Sequence, residues 1–268
     1  MKYISSRENA RYKSLVKLQK KKYRDERGLY IIEGVKPLKD ALESGCPVKE
    51  IYIREGTGED VELPAEVDSA AFLLEGGLFD RISDTRTSQG VLAVAAKNLL
   101  SGEDFIKLMN ADGNSEGNFL ILDRLQDPGN VGTIIRTAEA AGYKGAVLVS
   151  GTADPYSPKA ARAAAGSLFR MPLTEAASDE EVAELAEASG RKLAVSCFQG
   201  AVSCFEADLS SRTALVIGNE GSGASPGLID KARIRVRIPM EGRIESLNAA
   251  VAAGILMYRR MEYTGNER

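Results

Sequence analysis

The chain has 268 residues, of which 44% are hydrophobic and 27% charged, the proportions of a soluble globular protein with room for two domains. It contains no run of eighteen apolar residues, and its first 28 residues lack the apolar centre of a secretory signal, so we expect a cytoplasmic protein without a membrane span. Histidine is absent, and the three cysteines show no C-x-x-C spacing. This excludes imidazole bases, Ser-His-Asp and Cys-His sites and histidine-ligated metals, and we expect neither a metal nor a disulfide framework.

Charge is distributed unevenly along the chain, although the net charge is only −3. Residues 1–28 carry ten basic and three acidic side chains, a net charge of +7, which leaves −10 for the remainder. A clustered basic segment can bind a polyanion whatever the total charge, but a solvated helix face has the same composition. Charge alone leaves both interpretations open.

The first hundred residues predict a small α/β domain, 1–100. In chain order the patterns predict a basic helix over 6–22, a strand over 29–34, a helix over 35–45, a strand over 48–55, a short helix near 73–82 and a buried strand over 88–96. The segment 101–117 has little apolar content after Met109 and is rich in Asp, Gly, Asn and Ser, so it is predicted to be a linker.

The second predicted domain, 118–268, alternates strands with helices. Strands are predicted over 119–125 and 146–150 and in “KLAVSCF”, “TALVIGNE” and “RIRVRIPM”. Helices are predicted over 130–141, from Pro158 with Ser157 as N-cap, in “DEEVAELAEASG” with Ser178 and Glu181 as a capping box, and over 245–262. The alternation predicts a mostly parallel sheet covered on both faces, with ligands bound at the carboxyl ends of the strands.

The last predicted helix is amphipathic. Its apolar residues recur at helical spacing and are expected to face the core: Leu247, Val251, Ile255, and Met257 or Tyr258.

The glycines of “NEGSGASPG” raise the possibility of a nucleotide-binding loop. No G-K-[ST] follows, so the segment is not a Walker A loop, and its G-x-G-x-x-x-G spacing is one residue longer than the dinucleotide fingerprint. No acidic ribose partner ends the next strand. A nicotinamide-dependent enzyme is therefore an alternative that depends on a lone glycine pattern, which a tight turn explains equally well.

Several polar residues near strand and helix ends are candidate site residues, although each has a structural explanation when taken singly. Glu220 ends an apolar strand, where a carboxylate must face water, a partner or a ligand. Asn130 and Asn248 suit helix termini, and Arg136 suits a helix surface.

Taken together, “DRLQDPGNVGTIIRTAEAAG”, “IGNEGSGAS” and “IPMEGRIESLNAAVAAGILMY” resemble the three successive motifs of the SpoU (TrmH-type) RNA 2′-O-ribose methyltransferases. “DPYSPKAARAAAGSLFRMP” also resembles that family, and the similarity covers nearly all of 118–262 in family order and spacing. One departure is Ala164, where many relatives have serine. The segment from “YIIEGVKPLKDALESG” to “SQGVLAVA” resembles the substrate-recognition domain that often precedes the methyltransferase domain in this family.

The resemblance implies a SPOUT-superfamily α/β-knot fold with a trefoil-knotted, mostly parallel sheet, a homodimer, and S-adenosylmethionine as methyl donor. Carried over position by position, it assigns the cofactor pocket to Gly218, Ile238, Met240 and Leu247. It assigns the polar active-site positions to Asn130, Arg136, Glu220, Ser246 and Asn248.

The implied reaction is methyl transfer to a ribose 2′-hydroxyl of RNA, with ribosomal RNA favoured over transfer RNA. The cofactor supplies the electrophile, so the protein has to position the reactants and assist the loss of one proton. Arg136 is expected to orient the nucleotide and assist this loss, with help from a phosphate or Glu220 because an isolated arginine is a poor base. A catalytically silent RNA-binding or ribosome-assembly protein is the alternative, which the presence of all five polar residues disfavours.

Overall fold

The structure is a computed structural model that describes residues 1–57, 71–85, 87–244 and 246–263. The strands are β1 (Lys2–Ile4), β2 (Leu29–Glu33), β3 (Val48–Arg54), β4 (Ala71–Leu74), β5 (Val91–Ala96), β6 (Leu99–Leu100), β7 (Phe119–Leu122), β8 (Ala146–Val149), β9 (Leu173–Ala176), β10 (Lys192–Ser196), β11 (Val202–Ser203), β12 (Thr213–Ile217) and β13 (Ile234–Arg237). The helices are α1 (Ala10–Lys17), α2 (Lys21–Arg27), α3 (Val35–Glu43), α4 (Gly76–Phe79), α5 (Gly102–Asn110), α6 (Pro128–Ala140), α7 (Pro158–Ala164), α8 (Ser167–Arg170), α9 (Asp179–Ala188), α10 (Pro226–Lys231) and α11 (Ala249–Tyr263). Within the described ranges, no helix is long and apolar enough to cross a bilayer.

The chain divides into two compact units. The N-terminal unit comprises Met1–Asn98 and Asp154–Arg170, and the C-terminal unit comprises Leu99–Ala153 and Met171–Arg268. The segment that carries α7 and α8 thus joins the N-terminal unit, a division that the sequence did not predict. A buried ion pair fixes it there, since the Arg24 guanidinium lies 2.6 Å from the Asp154 carboxylate. Sequence patterns are local and do not reveal a contact across 130 positions.

The N-terminal unit contains a mixed sheet with strand order β1-β4-β3-β5-β2. The strands β1, β4 and β3 are parallel, and β5 runs antiparallel to both β3 and β2. One face of this sheet buries Tyr12 and Leu15 of α1 together with aromatic side chains of β3, β4 and α4, namely Tyr52, Phe72 and Phe79.

Two predicted helices of this unit differ from the structure. The basic helix predicted over 6–22 is two helices, α1 and α2, and α1 begins after Asn9, whose side chain accepts a hydrogen bond from Arg11 N at 2.9 Å. The helix predicted near 73–82 is instead strand β4 followed by the short helix α4, which Glu75 caps by accepting from Leu78 N. A capping side chain starts a helix where the apolar spacing alone does not mark a boundary.

The C-terminal unit contains an extended sheet with strand order β11-β13-β10-β12-β7-β8-β9-β6. All of its pairings between these strands are parallel. On one face Phe119, Ile121 and Val216 pack with α5, α9 and α10. The alternate residues Leu120 and Leu122 are also fully buried, and α11 packs against α6 and β12. The predicted fold class, a domain with a mostly parallel α/β sheet that follows a small α/β domain in the chain, is confirmed.

The predicted linker 101–117 contains a packed helix, α5. Phe105 and Met109 on this helix are completely buried, and Phe105 meets Phe119 edge-on at 5.3 Å between ring centroids. The polar residues after α5 are also held, because the buried Arg191 guanidinium donates to Met109 O at 2.8 Å and to Asn114 O at 2.6 Å. The segment was predicted to be a linker because the polar residues after Met109 obscured the apolar, helical spacing of the residues before it.

The apolar face predicted for the last helix does not point to the core. Leu247, Val251, Ile255 and Tyr258 are between 36% and 52% exposed, whereas Ala253, Leu256 and Met257 are fully buried. Of the two alternatives at the C-terminal end, Met257 faces inward and Tyr258 outward. The predicted start, Glu245, lies outside the described residues. The helix is apolar on two faces, so periodicity could not identify the one that packs inside the chain.

Candidate active site

A cavity of about 460 Å³ lies at the carboxyl ends of three neighbouring strands of the C-terminal unit. Its walls are the residues that follow β10, β12 and β13, together with the start of α11. These three strands are adjacent in the sheet, so the segments that leave them converge on one place. The volume falls within the roughly 300–1,000 Å³ typical of small-molecule sites.

The cavity combines apolar walls with a few polar groups. The four residues predicted to hold the cofactor, Gly218, Ile238, Met240 and Leu247, all line it. Two of the predicted polar residues, Glu220 and Ser246, line it as well. Apolar side chains and backbone groups suit a purine, whereas hydroxyl and carboxylate groups suit a polar, charged tail, so the residues present fit a nucleoside-type cofactor such as S-adenosylmethionine.

Gly218 ends β12 where the chain folds back on itself. A Cβ at this position would lie 2.6 Å from Ala224 Cα and closer still to Ala224 N and Gly223 C. Asn219 and Gly223 exchange backbone hydrogen bonds at 3.0 Å, which closes the loop 219–223. Only glycine permits this close approach, and the loop therefore depends on the absence of a side chain at position 218.

Glu220 joins two segments that are distant in sequence. Its Oε2 accepts from Gln126 N at 3.0 Å, and its Oε1 accepts from Asp127 N at 3.2 Å and from Asn130 Nδ2 at 3.0 Å. Asn248 Nδ2 in turn donates to Asn130 Oδ1 at 3.1 Å. Three of the predicted polar residues, Glu220, Asn130 and Asn248, thus form one hydrogen-bonded chain beside the cavity.

The two asparagines have different structural roles. Asn248 caps α11 by accepting from Ala250 N at 2.9 Å, as expected for an asparagine at a helix start. Asn130 does not cap α6, because Asp127 occupies that position and accepts from Gly129 N at 2.8 Å. The Asn130 side chain is consequently free to link Glu220 to Asn248.

Hydrogen bonding sets the charge state of Glu220. Partial burial tends to raise its pKa, but the donors Gln126 N, Asn130 Nδ2 and Asp127 N outweigh this and hold the pKa below its ordinary value. A carboxyl with a lowered pKa is a weak base. Glu220 is accordingly suited to hold the two segments together rather than to abstract a proton.

We expect Glu220→Gln to lower the free energy of unfolding by about 1 kcal/mol at pH 7, because an amide offers two hydrogens to groups that are themselves donors. Since the folded pKa is lowered, the wild-type contribution is fully present above the unfolded pKa and is lost as the pH falls through the folded pKa. Urea unfolding of both proteins at pH 7 and in acid measures this, and the difference should shrink in acid. A difference that is the same at both pH values would contradict this role.

Arg136 is placed apart from the other predicted residues. It is exposed on α6, it does not line the cavity, and it makes no hydrogen bond or ion pair within the described part of the chain. The structure therefore brings together eight of the nine predicted residues, six on the cavity wall and two hydrogen-bonded behind it.

A second polar cluster that the sequence reasoning missed supports the same wall. Arg124, with a left-handed backbone (φ 60°), pairs with Asp123 and donates to Asp179 Oδ1 at 2.7 Å. Ser225 Oγ donates to Asp179 Oδ2 at 2.7 Å, and Ser225 N donates to Asp123 Oδ2 at 2.7 Å. This cluster anchors the far end of the loop that begins at Gly218. The sequence signal was Asp123, a charged residue directly after a wholly apolar strand.

The sequence patterns also did not indicate that the segment after β10 belongs to the site. Ser196, Cys197, Phe198 and Gln199 line the cavity, as does Arg237 at the end of β13. Strand order is not visible in the sequence, so nothing local indicated that β10 lies between β12 and β13. Among the described residues, no group of His, Cys, Asp or Glu side chains is arranged to hold a metal ion.

Comparison with known proteins identifies both units. Residues 117–258 match the model of the SpoU rRNA Methylase family, and residues 9–93 match the MRM3-like substrate binding domain. The chain is 36% identical over 260 residues to the 23S rRNA (guanosine(2553)-2′-O)-methyltransferase RlmP of Bacillus subtilis, covering 96% of this chain and 98% of that protein. It is 30% identical to the 23S rRNA (uridine(2479)-2′-O)-methyltransferase of Streptomyces viridochromogenes, covering 95% and 90%. Among solved structures, an AdoMet-bound rRNA methyltransferase from Sinorhizobium meliloti superposes with a TM-score of 0.86 at 30% identity, over 99% of both chains.

Proposed function

Because the chain belongs to the SpoU rRNA methylase family, we propose that it transfers a methyl group from S-adenosylmethionine to a ribose 2′-hydroxyl of ribosomal RNA. The observation that carries the proposal is the cavity at the ends of β10, β12 and β13, which contains all four predicted cofactor residues. The relatives that act on 23S rRNA support ribosomal over transfer RNA. We place this activity in the cytoplasm.

The proposal assigns separate tasks to the residues around the cavity. Gly218, Ile238, Met240 and Leu247 would hold S-adenosylmethionine, which supplies an electrophilic methyl carbon when bound. Ser246 lines the same cavity and would orient the bound groups by its hydroxyl. Glu220, Asn130 and Asn248 hold the start of α6 and the start of α11 next to the cavity wall. Arg136 would orient the target nucleotide and favour loss of the hydroxyl proton by its positive charge.

Calorimetric titration tests the cofactor directly. We expect S-adenosylmethionine to bind with one site per chain and NAD to give no heat of binding. Tight binding of NAD without binding of S-adenosylmethionine would refute the proposal in favour of a nicotinamide-dependent enzyme.

The exposed apolar face of α11 supports a homodimer. Val251, Ile255 and Tyr258 recur at helical spacing and form one stripe, which is 52% exposed at Val251. Leu247 precedes the helix and lines the cavity instead. A contiguous apolar stripe on a monomer is typical of a protein–protein contact. The trefoil knot that the family resemblance implies belongs to the same proposal.

Substitution on this stripe is expected to separate the copies. Val251→Asp should convert a species of twice the 28.8 kDa chain mass into a monomer, because a charge would be buried without a partner. Light scattering measures the mass, and Arg233→Asp places the same charge at an exposed site away from the stripe as a control. A wild-type protein that is monomeric at micromolar concentration would refute the homodimer.

The basic helices α1 and α2 support RNA binding by the N-terminal unit. Tyr12, Leu15 and Leu18 are buried in its core, so deleting the segment would unfold the unit rather than test its charge. The lysines, in contrast, lie on the surface. Lys17, Lys20 and Lys22 are exposed, although Lys17 lies over the Tyr23 ring and Lys22 is 3.8 Å from Glu26.

We expect the triple variant Lys17→Gln, Lys20→Gln, Lys22→Gln to bind RNA more weakly and to reduce the slope of log K against log salt by up to about 2, since each phosphate contact contributes about 0.7 with single strands. Filter binding over a range of salt concentrations measures the slope. Lys107→Gln with Lys192→Gln, two exposed lysines of the other unit, is the matched control. Equal slopes for wild type and triple variant would assign the basic segment to a solvated face.

A further inference from the structure

The loop after β10 presents an aromatic ring at the mouth of the cavity. Phe198 lines the cavity, yet its side chain is 69% exposed. It makes no ring–ring or cation–ring contact within the described part of the chain, so packing inside this chain does not explain it. A large apolar side chain that is solvent-exposed at a binding cavity is suited to cover a ligand.

Two arginines lie against the same loop. Arg237 Nε donates to Ala201 O at 3.3 Å, and Arg237 itself lines the cavity. Arg235 Nη1 lies 3.5 Å from where a Cβ on Gly200 would be. The loop therefore combines an exposed aromatic ring with positive charge, the combination by which proteins bind unpaired nucleotides through base stacking and phosphate attraction.

Phe205, a second exposed phenylalanine, lacks this arrangement. Phe205 is 59% exposed, but it does not line the cavity and the Arg259 guanidinium lies 4.9 Å from its ring centroid. One face of Phe205 is thus already covered by a residue of the same chain. Among the described residues the Phe198 ring has no such cover, and it lies at the cavity.

We propose that Phe198 is a stacking surface for an unpaired nucleobase of the RNA substrate, with Arg237 supplying positive charge for the adjoining phosphate. The inference rests on the proposed function, because it requires an RNA whose ribose enters the cavity. It adds a contact to the base, which the ribose- and cofactor-binding residues do not provide. Aromatic stacking accepts any base, so Phe198 contributes affinity and orientation rather than base identity.

Phe198→Ala, Phe198→Leu and Phe198→Trp separate stacking from apolar cover. We expect the alanine and leucine variants to bind in vitro transcribed 23S rRNA about tenfold to a hundredfold more weakly, since stacking contributes about 1–3 kcal/mol per base. The tryptophan variant should retain wild-type affinity. S-adenosylmethionine affinity should fall by less than RNA affinity in the alanine and leucine variants, because Phe198 is largely exposed at the mouth of the cavity. Phe205→Ala should behave as wild type in both assays. Light scattering confirms that each variant keeps the wild-type mass.

Three results would overturn the proposal. Loss of S-adenosylmethionine affinity with unchanged RNA affinity would place the ring against the cofactor, and a change of mass would place it in a subunit interface. Equal RNA binding by wild type and Phe198→Ala would leave the ring without a role. RNA affinity is measured here without catalysis, so a wild-type protein that binds RNA but transfers no methyl group refutes the proposed function and not the stacking contact.

Discussion

Arg136→Ala is expected to lower the rate of methyl transfer at saturating substrate by about a hundredfold or more, while S-adenosylmethionine binds with unchanged affinity. Arg136 is exposed on α6 and does not line the cavity of its own chain, so removing it leaves the cofactor walls intact. Single-turnover kinetics with radiolabelled cofactor measure the rate, and calorimetry measures the affinity. The expected pattern is a loss of rate without a loss of binding.

Arg233→Ala is the matched control for this substitution. Arg233 is also exposed in the C-terminal unit, but it precedes β13 and so lies at the opposite end of the strand from the cavity. We expect wild-type kinetics for this control. If Arg136→Ala methylated RNA at the wild-type rate, the role assigned to Arg136 would be refuted.

Gly218→Ala is expected to weaken S-adenosylmethionine binding by about a hundredfold. A methyl group at this position would overlap the backbone of residues 223 and 224, so the loop from Gly218 to Ser225 has to move. A displacement of about 1 Å at a binding wall is sufficient for an effect of this size. Calorimetry measures the affinity, and thermal unfolding shows how much of the effect is a loss of stability.

Gly221→Ala tests whether the effect is specific to Gly218. Gly221 lies in the same loop and also lines the cavity, but the nearest protein atom to its Cβ position is Asn219 Oδ1 at 3.6 Å, an ordinary contact distance, so the added methyl group does not displace the loop. This variant should bind S-adenosylmethionine within about threefold of wild type. Equal losses in both variants would show that the loop tolerates no side chain anywhere, rather than at the close approach alone.

The two variants together test whether Arg136 acts across the proposed dimer. A mixed dimer of Arg136→Ala and Gly218→Ala subunits contains one intact cavity and one intact arginine, on different chains. If each arginine serves the partner subunit, the mixture regains activity that neither pure variant has. If each serves its own chain, the mixture stays inactive, and the dimer has no part in assembling the site.

Local patterns predicted the elements that build the site. β12 is a continuous apolar or β-branched run, and β13 alternates β-branched residues with arginines. Ser157 with Pro158 starts α7 as expected, with Ser157 Oγ accepting from Ala160 N. The cofactor residues lie on the segments that follow these strands, and because parallel strands end at one edge, their convergence could be expected. The capping role of Asn248 was equally local.

Contacts between distant segments could not be predicted in the same way. The bonds from Glu220 to Asn130 and from Arg124 to Asp179 join positions 90 and 55 residues apart. Nothing in the sequence showed that Phe198 would reach the cavity, because this depends on β10 lying between β12 and β13. The outward face of α11 was misjudged because apolar periodicity does not show which face of a helix packs inside its own chain.

Mapping of 2′-O-methylated riboses in ribosomal RNA, with and without the gene, shows directly whether this protein methylates ribosomal RNA. Reverse transcription at limiting nucleotide concentration over both ribosomal subunits detects each methylated position. We predict one 2′-O-methyl group that disappears on deletion, returns with the wild-type gene, and does not return with the Arg136→Ala gene. Identical methylation patterns with and without the gene would contradict this prediction.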